Sequence, residues 1–290
     1  MSWQPSRKHL DAGREHWQFG PIDLVLAAWG NAPAVERATA AAWARFAQVL
    51  PELVSELSLL RQALDGASQV RGPVAQRMLA ACRPHAAQCI TPMAAVAGAV
   101  ADEICAFFAR EPGVRKAYVN NGGDIALHLR EGQSLRIGVI DHPQQPTHIG
   151  DVTITSGMPV RGVATSGWRG RSFSLGIADS VTVLAASAAA ADAAATMIAN
   201  AVNVDHPGIV RAPANTLKDD TDLGARLVTV DVQPLPREVV MRALNNGAAF
   251  AQDCTGRGLI DSALLLLQDE VRQIGREPLR DGGTTLKLAA

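Results

Sequence analysis

Two oxygen-bearing side chains interrupt an otherwise apolar run: "ASAAAADAAATMIANAV", residues 186–202, contains Asp192 and Thr196. On a helix, residues four apart project from one face about one turn from each other. A carboxylate and a hydroxyl placed that way are hard oxygen donors of the kind that take Mg2+ or Ca2+. The same spacing suits a hydrogen-bonded pair on the polar side of a core helix, so spacing leaves both readings open. Two further segments could meet an anion. "VNNGGDIAL", residues 119–127, joins two strands through adjacent glycines that tolerate positive φ and leave backbone N–H groups uncovered. Asn121, Gly122, Gly123 and Asp124 are its candidates, although Asn-Gly is also the commonest short hairpin signal. "GVATSGWRGRS", residues 162–172, brings Thr165, Ser166, Gly167, Arg169 and Arg171. Guanidinium groups bind phosphate or carboxylate oxygens bidentately, and a solvated loop is the competing reading. No catalytic residue is assigned. His85, His128, His142 and His148 stand at no ligand spacing; His148 is kept in reserve because histidine titrates near neutrality.

The elements that must position these groups follow from periodicity and turn signals. "HWQFG" and "IDLVLAAW" read as a strand pair about Gly20-Pro21. Asn31 caps a helix through Leu50, and Pro51 starts a second one, "PELVSELSLLRQAL". "DGASQVRGP", 65–73, is a surface connection, and a third helix runs from Pro92 to Pro112-Gly113. "VRKAYV", "DIALHLR" and "LRIGVI" form an antiparallel meander, and strands continue through "GDVTITSG" and "GVATSG". "DSVTVLAA" leads into the helix carrying Asp192, with Ser187 as its N-cap. "ARLVTVDVQP" is a further strand, and "CTGRGLID" is a turn before a last helix, "SALLLLQDEVRQI". Helices mixed with antiparallel strands, rather than alternating βαβ units, place the chain in the α+β class. One long helix with a few strands recurs around 92–140 and 151–232, which hints at duplication.

Composition narrows the partners. Lys plus Arg total 27 against 28 Asp plus Glu, so no net field argues for nucleic acid or an anionic membrane. The 186–202 run is the one serious membrane candidate, and Asp192 at its centre argues against insertion. Cys82, Cys89, Cys105 and Cys254 follow no disulfide or zinc spacing and read as free thiols, Cys82 and Cys89 as core packing. The N-terminus carries no apolar signal run, so the expected location is the cytoplasm. Small faces on the alanine-rich helices suit close packing within a subunit or between copies, so a homo-oligomer is one expected outcome.

"VNNGGDIAL", "ATSG" and above all "SVTVLAASAAAADAAAT" resemble, in this order, three segments of the ApbE-like flavin transferases; the resemblance covers 90–203. In that family FAD sits against a Mg2+ site and its FMN moiety passes to a protein threonine. The resemblance implies that Asp192 and Thr196 are metal ligands. It also implies that Gly122, Gly123 and Asp124 form the diphosphate-contacting turn and that Thr165, Ser166 and Gly167 line the same cleft. It further implies a duplicated T-fold-like unit, antiparallel sheets packed with helices, as one domain over 1–286 with subdomains 1–150 and 151–286. Residues 287–290 fall in a closing stretch that looks like a vector-derived scar.

The chain departs from the family pattern twice. Ala97 stands before Gly98 where the transferases have lysine, and their histidine-containing segment after the threonine-serine-glycine loop is missing. "TPMAAVAGAVAD", 91–102, is similar instead to a compact branch of the family without the lipoprotein signal, associated with tetrahydromethanopterin and one-carbon metabolism. The expectation is therefore a protein that binds an anionic, ring-containing small molecule, FAD/FMN or a pterin, with Mg as the associated cofactor. As an enzyme it would be a Mg-dependent transferase related to FAD:protein FMN transferase. The alternative is a non-catalytic ligand-binding or assembly protein that kept the fold.

Overall fold

The computed structural model describes residues 3–64, 69–140 and 148–275. Its strands are β1 (Ser6–His9), β2 (Glu15–Phe19), β3 (Ile22–Gly30), β4 (Val114–Asn121), β5 (Asp124–Leu129), β6 (Ser134–Ile140), β7 (His148–Thr155), β8 (Gly162–Ser166), β9 (Ser180–Ala185), β10 (Ile209–Pro213), β11 (Leu227–Val232), β12 (Ser262–Leu267) and β13 (Glu270–Gly275). Its α-helices are α1 (Ala32–Ser55), α2 (Leu57–Leu60), α3 (Pro73–Cys82), α4 (Val96–Arg110), α5 (Ala188–Ala201), α6 (Ala214–Leu217) and α7 (Arg237–Gly256). The chain forms two compact units. One comprises Met1–Leu135, Ile154–Ala164 and Ala185–Ala193; the other comprises Arg136–Thr153, Thr165–Leu184 and Ala194–Ala290. The architecture is α+β with antiparallel pairing, as expected. His142, residues 65–68 of the 65–73 connection and residues 276–290 lie outside the described residues.

In the first unit the strand order is β1-β2-β3-β4-β5-β8, each pair antiparallel. Leu26 pairs with Val119, Val119 with Ala126, and Ala126 with Gly162, so one row of small and branched residues crosses the sheet under the helices. Helix α4 packs on β4 and β5 with α1 and α3 beside it. Trp17 and Phe46, both fully buried, anchor this core with ring centroids 5.6 Å apart, and Trp43 meets Trp17 edge-on at 5.2 Å.

Asn31 does cap α1, its Oδ1 accepting the Ala34 N–H at 3.3 Å. The break expected at Pro51 does not occur, and α1 continues to Ser55. A proline removes one backbone donor and crowds the preceding turn. Here the Arg45 guanidinium spans the proline, gripping both Glu52 oxygens at 2.6 and 2.7 Å, while Leu53 is buried beyond it. The same guanidinium donates to Glu103 of α4 at 2.8 Å, and Arg77 of α3 donates to the other Glu103 oxygen at 3.1 Å.

Burial alone would raise the Glu103 carboxyl, but hydrogen bonds from Arg45 and Arg77 outweigh it and hold the group below its ordinary value. A depressed folded value contributes stability that is fully present above the unfolded value of about 4.3 and is lost as pH falls through the folded one. The Glu103 and Arg45 side chains are only 9% and 11% exposed, so solvent screens this pair little. Glu103→Gln is therefore expected to cost about 2 kcal/mol at neutral pH. Denaturant melts should show that difference shrinking on acidification below about pH 4.

The second unit contains an antiparallel sheet, β9-β12-β13, with α7 packed on β12 and β13. A helix over "SALLLLQDEVRQI" was expected; the segment is instead the β12–β13 hairpin, turning at Gln268 with φ +51. A short unbroken apolar run has no period that separates a buried strand from a buried helix. All six β12 residues are buried, the pattern of a strand covered on both faces. Helix α7 was not read from the sequence at all. The expected meander is also interrupted: β5 pairs with β8, and β6 pairs with β7 as a separate two-stranded sheet.

Among the described residues one helical stretch, Pro92–Arg110, is long and apolar enough to cross a membrane, with mean hydropathy 1.5. The apolar run at 186–202, the membrane candidate by composition, is not that stretch. In the structure Pro92–Arg110 is a core element, burying Val100, Ile104 and Phe108.

Candidate functional site

The site is built where α4 and α5 begin. A helix leaves its first backbone N–H groups without intrahelical partners. At the start of α5, Ala188 and Ala189 donate to the two carboxylate oxygens of Asp102 at 3.0 and 2.9 Å, and Ala190 donates to Ser187 Oγ at 3.2 Å. Ser187 is thus the N-cap expected from the sequence. At the start of α4, Ala95 in the N-cap position offers no side-chain acceptor. Asp192 Oδ2 accepts the Gly98 N–H at 3.0 Å, and the Ala97 amide is a second donor to the same carboxylate. Each helix carries the aspartate that caps the other.

This exchange requires very close backbones. A Cβ on Gly98 would lie 2.3 Å from the Ala188 carbonyl oxygen, and one on Gly162 would lie 2.0 Å from the Ser187 carbonyl carbon. Both glycines press on the same short stretch of main chain from different elements.

The β4–β5 hairpin ends at the same place. Gly122 and Gly123 have φ of +66 and +117, and Asn121 pairs with Asp124 across them, a two-residue hairpin turn. The Gly123 amide donates to Asn120 Oδ1 at 2.8 Å, so that donor is engaged inside its own turn. Asn121 is buried, and its Nδ2 donates to the Ala97 carbonyl at 3.1 Å, tying the hairpin to the first turn of α4.

The resulting electrostatics are unfavourable for a bare carboxylate. Asp192 is half-buried as a residue, but its carboxyl is enclosed by protein atoms. That enclosure raises it well above the ordinary carboxylate range. The nearby Asp124 carboxylate pushes the same way, the Gly98 and Ala97 amides pull back, and Asp102 adds a smaller push. Cys82, buried near Asp192, donates its S–H to the Thr91 carbonyl at 3.5 Å, and burial pushes its thiol up, so it is an inert packing group. Cys89, expected in the core, is exposed.

The remaining sequence candidates belong to the second unit. Thr196, one turn beyond Asp192 on α5, is half-buried. Thr165 Oγ1 lies 2.9 Å from Thr182 Oγ1, and Gly167 sits where a Cβ would meet the Asp179 carbonyl oxygen at 2.3 Å. Ser166 is half-buried and Arg171 exposed. Arg169 stacks 4.4 Å over the Trp168 ring and donates from Nε to Asp179 Oδ1 at 2.7 Å. Asp179 also accepts from Trp168 Nε1 and from the Gln268 amide, so it anchors this loop.

The donor set defines which ion would fit. Among the described residues no group of three or more His, Cys, Asp or Glu gathers as a metal cage. Mg2+ does not need one, since it is commonly held by one or two carboxylates together with substrate phosphates and water. Asp192 and Asp124 match that second kind of site. Sequence reasoning missed Asp102 and Asp179, whose partners lie far along the chain or across a loop.

The family model described as AbpE bacteria matches residues 7–273. A UPF0280 protein of Methanopyrus kandleri is 34% identical over 224 residues, 75% of this chain and 70% of that one. A UPF0280 protein of Methanosphaerula palustris is 33% identical over 205 residues, 69% of this chain and 80% of that one. Another, from Methanothermobacter thermautotrophicus, is 36% identical over 152 residues; the match spans 52% of this chain and 56% of that relative. Among solved structures, the ApbE protein of Thermotoga maritima gives a TM-score of 0.45 at 14% identity over 93% of this chain and 96% of that one. The flavin transferase ApbE of Vibrio cholerae gives 0.44 at 12% identity, over 93% and 97%.

Proposed function

This chain belongs to the family described as AbpE bacteria, an ApbE-like family, and from that membership and the setting of Asp192 we propose that it binds an anionic, ring-bearing cofactor or precursor through Mg2+. The ligand class is a flavin or a pterin, the latter of the tetrahydromethanopterin kind that the 91–102 motif implies by resemblance. The protein acts as a Mg-assisted enzyme of cofactor or one-carbon metabolism. One arrangement carries the reading: Asn121 ties the Gly122-Gly123 turn to the first turn of α4, where the Asp192 carboxyl accepts the Gly98 amide, and Asp124 at that turn is close enough for its charge to oppose that of Asp192. Such a site repels a phosphate until a cation stands between them.

Asp192 would hold the ion through its carboxylate, while its Oδ2 keeps its bond to the Gly98 amide. Mg2+ bound there would neutralise phosphate charge and polarise its oxygens. Asn121 holds the turn against α4 through the Ala97 carbonyl, so that Asp124 keeps its place beside Asp192.

A second reading, a binder without catalysis, draws on one feature: position 97 is alanine, and its amide and that of Gly98 are both directed to Asp192. Mass spectrometry of the protein as purified identifies the ring class. Incubation with FAD, MgCl2 and a threonine-containing acceptor then separates the two readings. AMP release with covalent flavin on threonine is expected of the enzyme, and ligand retention without AMP of the binder. A protein that neither carries nor takes up a flavin or pterin contradicts both.

A further inference from the structure

Resting on that reading of Asp192, we infer that Asp102 is the positioning residue for Asp192, acting through the first turn of α5. Four links close a ring. Asp102 holds the Ala188 and Ala189 amides at 3.0 and 2.9 Å. Ala188 lies one turn before Asp192 on the same face of α5. Asp192 accepts the Gly98 amide at 3.0 Å. Gly98 lies one turn before Asp102 on the same face of α4.

A bidentate grip on two successive amides fixes both where α5 begins and its rotation about its own axis. Starting the helix one residue later would swing Asp192 by about 100° and carry its carboxylate away from Gly98 and Asp124. The ring also repeats itself: Gly98 and Asp102 stand four apart on α4, as Ala188 and Asp192 do on α5, and Gly98 touches Ala188. Two helices with the same small-residue-to-aspartate spacing meet at their small residues and exchange caps. Position along one helix is thereby transmitted to the carboxylate on the other.

The role differs from ordinary helix capping in what it controls. A cap that merely stabilises α5 could be replaced at some loss of stability with Asp192 left in place. A positioning residue cannot be changed without moving the contact between Asp192 and Gly98. Asparagine at 102 can still accept one amide, but its NH2 group faces the other N–H and repels it.

The test uses the full chain and two observables below the melting temperature: hydrogen exchange of the Gly98 amide, and affinity for MnCl2 alone by electron paramagnetic resonance. Asp102→Asn is expected to lower Gly98 protection roughly tenfold and to weaken Mn2+ binding about 10- to 100-fold, the range for losing a group that orients a metal ligand. Glu103→Gln, a destabilising change on the same helix, should leave Mn2+ affinity unchanged and lower Gly98 protection by no more than its loss of global stability accounts for, whereas Asp102→Asn lowers protection beyond its own such loss. Gly98 protection that does not respond to Asp102→Asn overturns the inference, even if Mn2+ affinity falls. If wild type takes up no Mn2+ but Gly98 still responds, the cation reading fails and the positioning role stands. Should Asp102→Asn not fold, Ser187→Ala loosens the same helix start by one hydrogen bond. It must then move Gly98 protection in the same direction, and no movement overturns the inference.

Discussion

Gly98→Ala is expected to destabilise the protein by about 3 kcal/mol, although alanine is intrinsically the better helix former by roughly 1 kcal/mol. The added Cβ would lie 2.3 Å from Ala188 O, 2.5 Å from Ala188 C and 2.7 Å from Ala189 N. All three are backbone atoms, so no rotamer change relieves the clash. Helix α5 cannot simply retreat, because its first residues are also pressed by Gly162 and held by Asp102. Relief therefore costs overpacking strain and weakens the exchanged caps, each cap being worth about 1 kcal/mol. Gly256→Ala is the control. Nothing lies within 4 Å of its Cβ position at the end of α7, so it should be neutral or slightly stabilising. Guanidinium melts of the two variants check the contrast directly.

Asp192→Asn should separate stability from binding. Asparagine can still accept one of the two amides through its Oδ1, and removing a carboxylate that burial and Asp124 both disfavour offsets what is lost at the other amide. The folded state should be as stable as wild type or slightly more so. Divalent-cation affinity should nevertheless fall by on the order of 100-fold or more, since even orienting groups outside the ligand shell cost 10- to 100-fold. Matched thermal melts and MnCl2 titrations measure the two effects. A variant that loses stability but keeps its cation affinity would mean that Asp192 serves α4 as a cap and nothing else.

Local signals recovered much of this architecture. The β2–β3 pair, the Asn31 and Ser187 caps and the Asn-Gly-Gly hairpin each depend on residues adjacent in sequence, where propensity and turn chemistry act. Helix α7 escaped because Asn245, Asn246 and Gly247 sit in its middle and mimic a turn, whereas Gly247 is there for a close approach to Val202. The β12–β13 hairpin escaped because four successive leucines carry no period.

At the site, the sequence pointed to Asp192 but not to what surrounds it. The bonds that define its setting join residues about ninety positions apart, Gly98 to Asp192 and Asp102 to Ala188 and Ala189, and such pairing has no local signature. Arg169 shows the same limit at shorter range. Its composition suggested a free anion-binding fork, while the fold pairs it with Asp179.

Calorimetric titration of FAD into the wild-type protein, once in MgCl2 and once in EDTA, tests most directly whether a divalent cation at Asp192 admits the ligand. Binding in MgCl2, with none in EDTA and none for Asp192→Asn in either buffer, is the predicted result. An affinity that EDTA leaves unchanged, or that survives Asp192→Asn, would contradict the account.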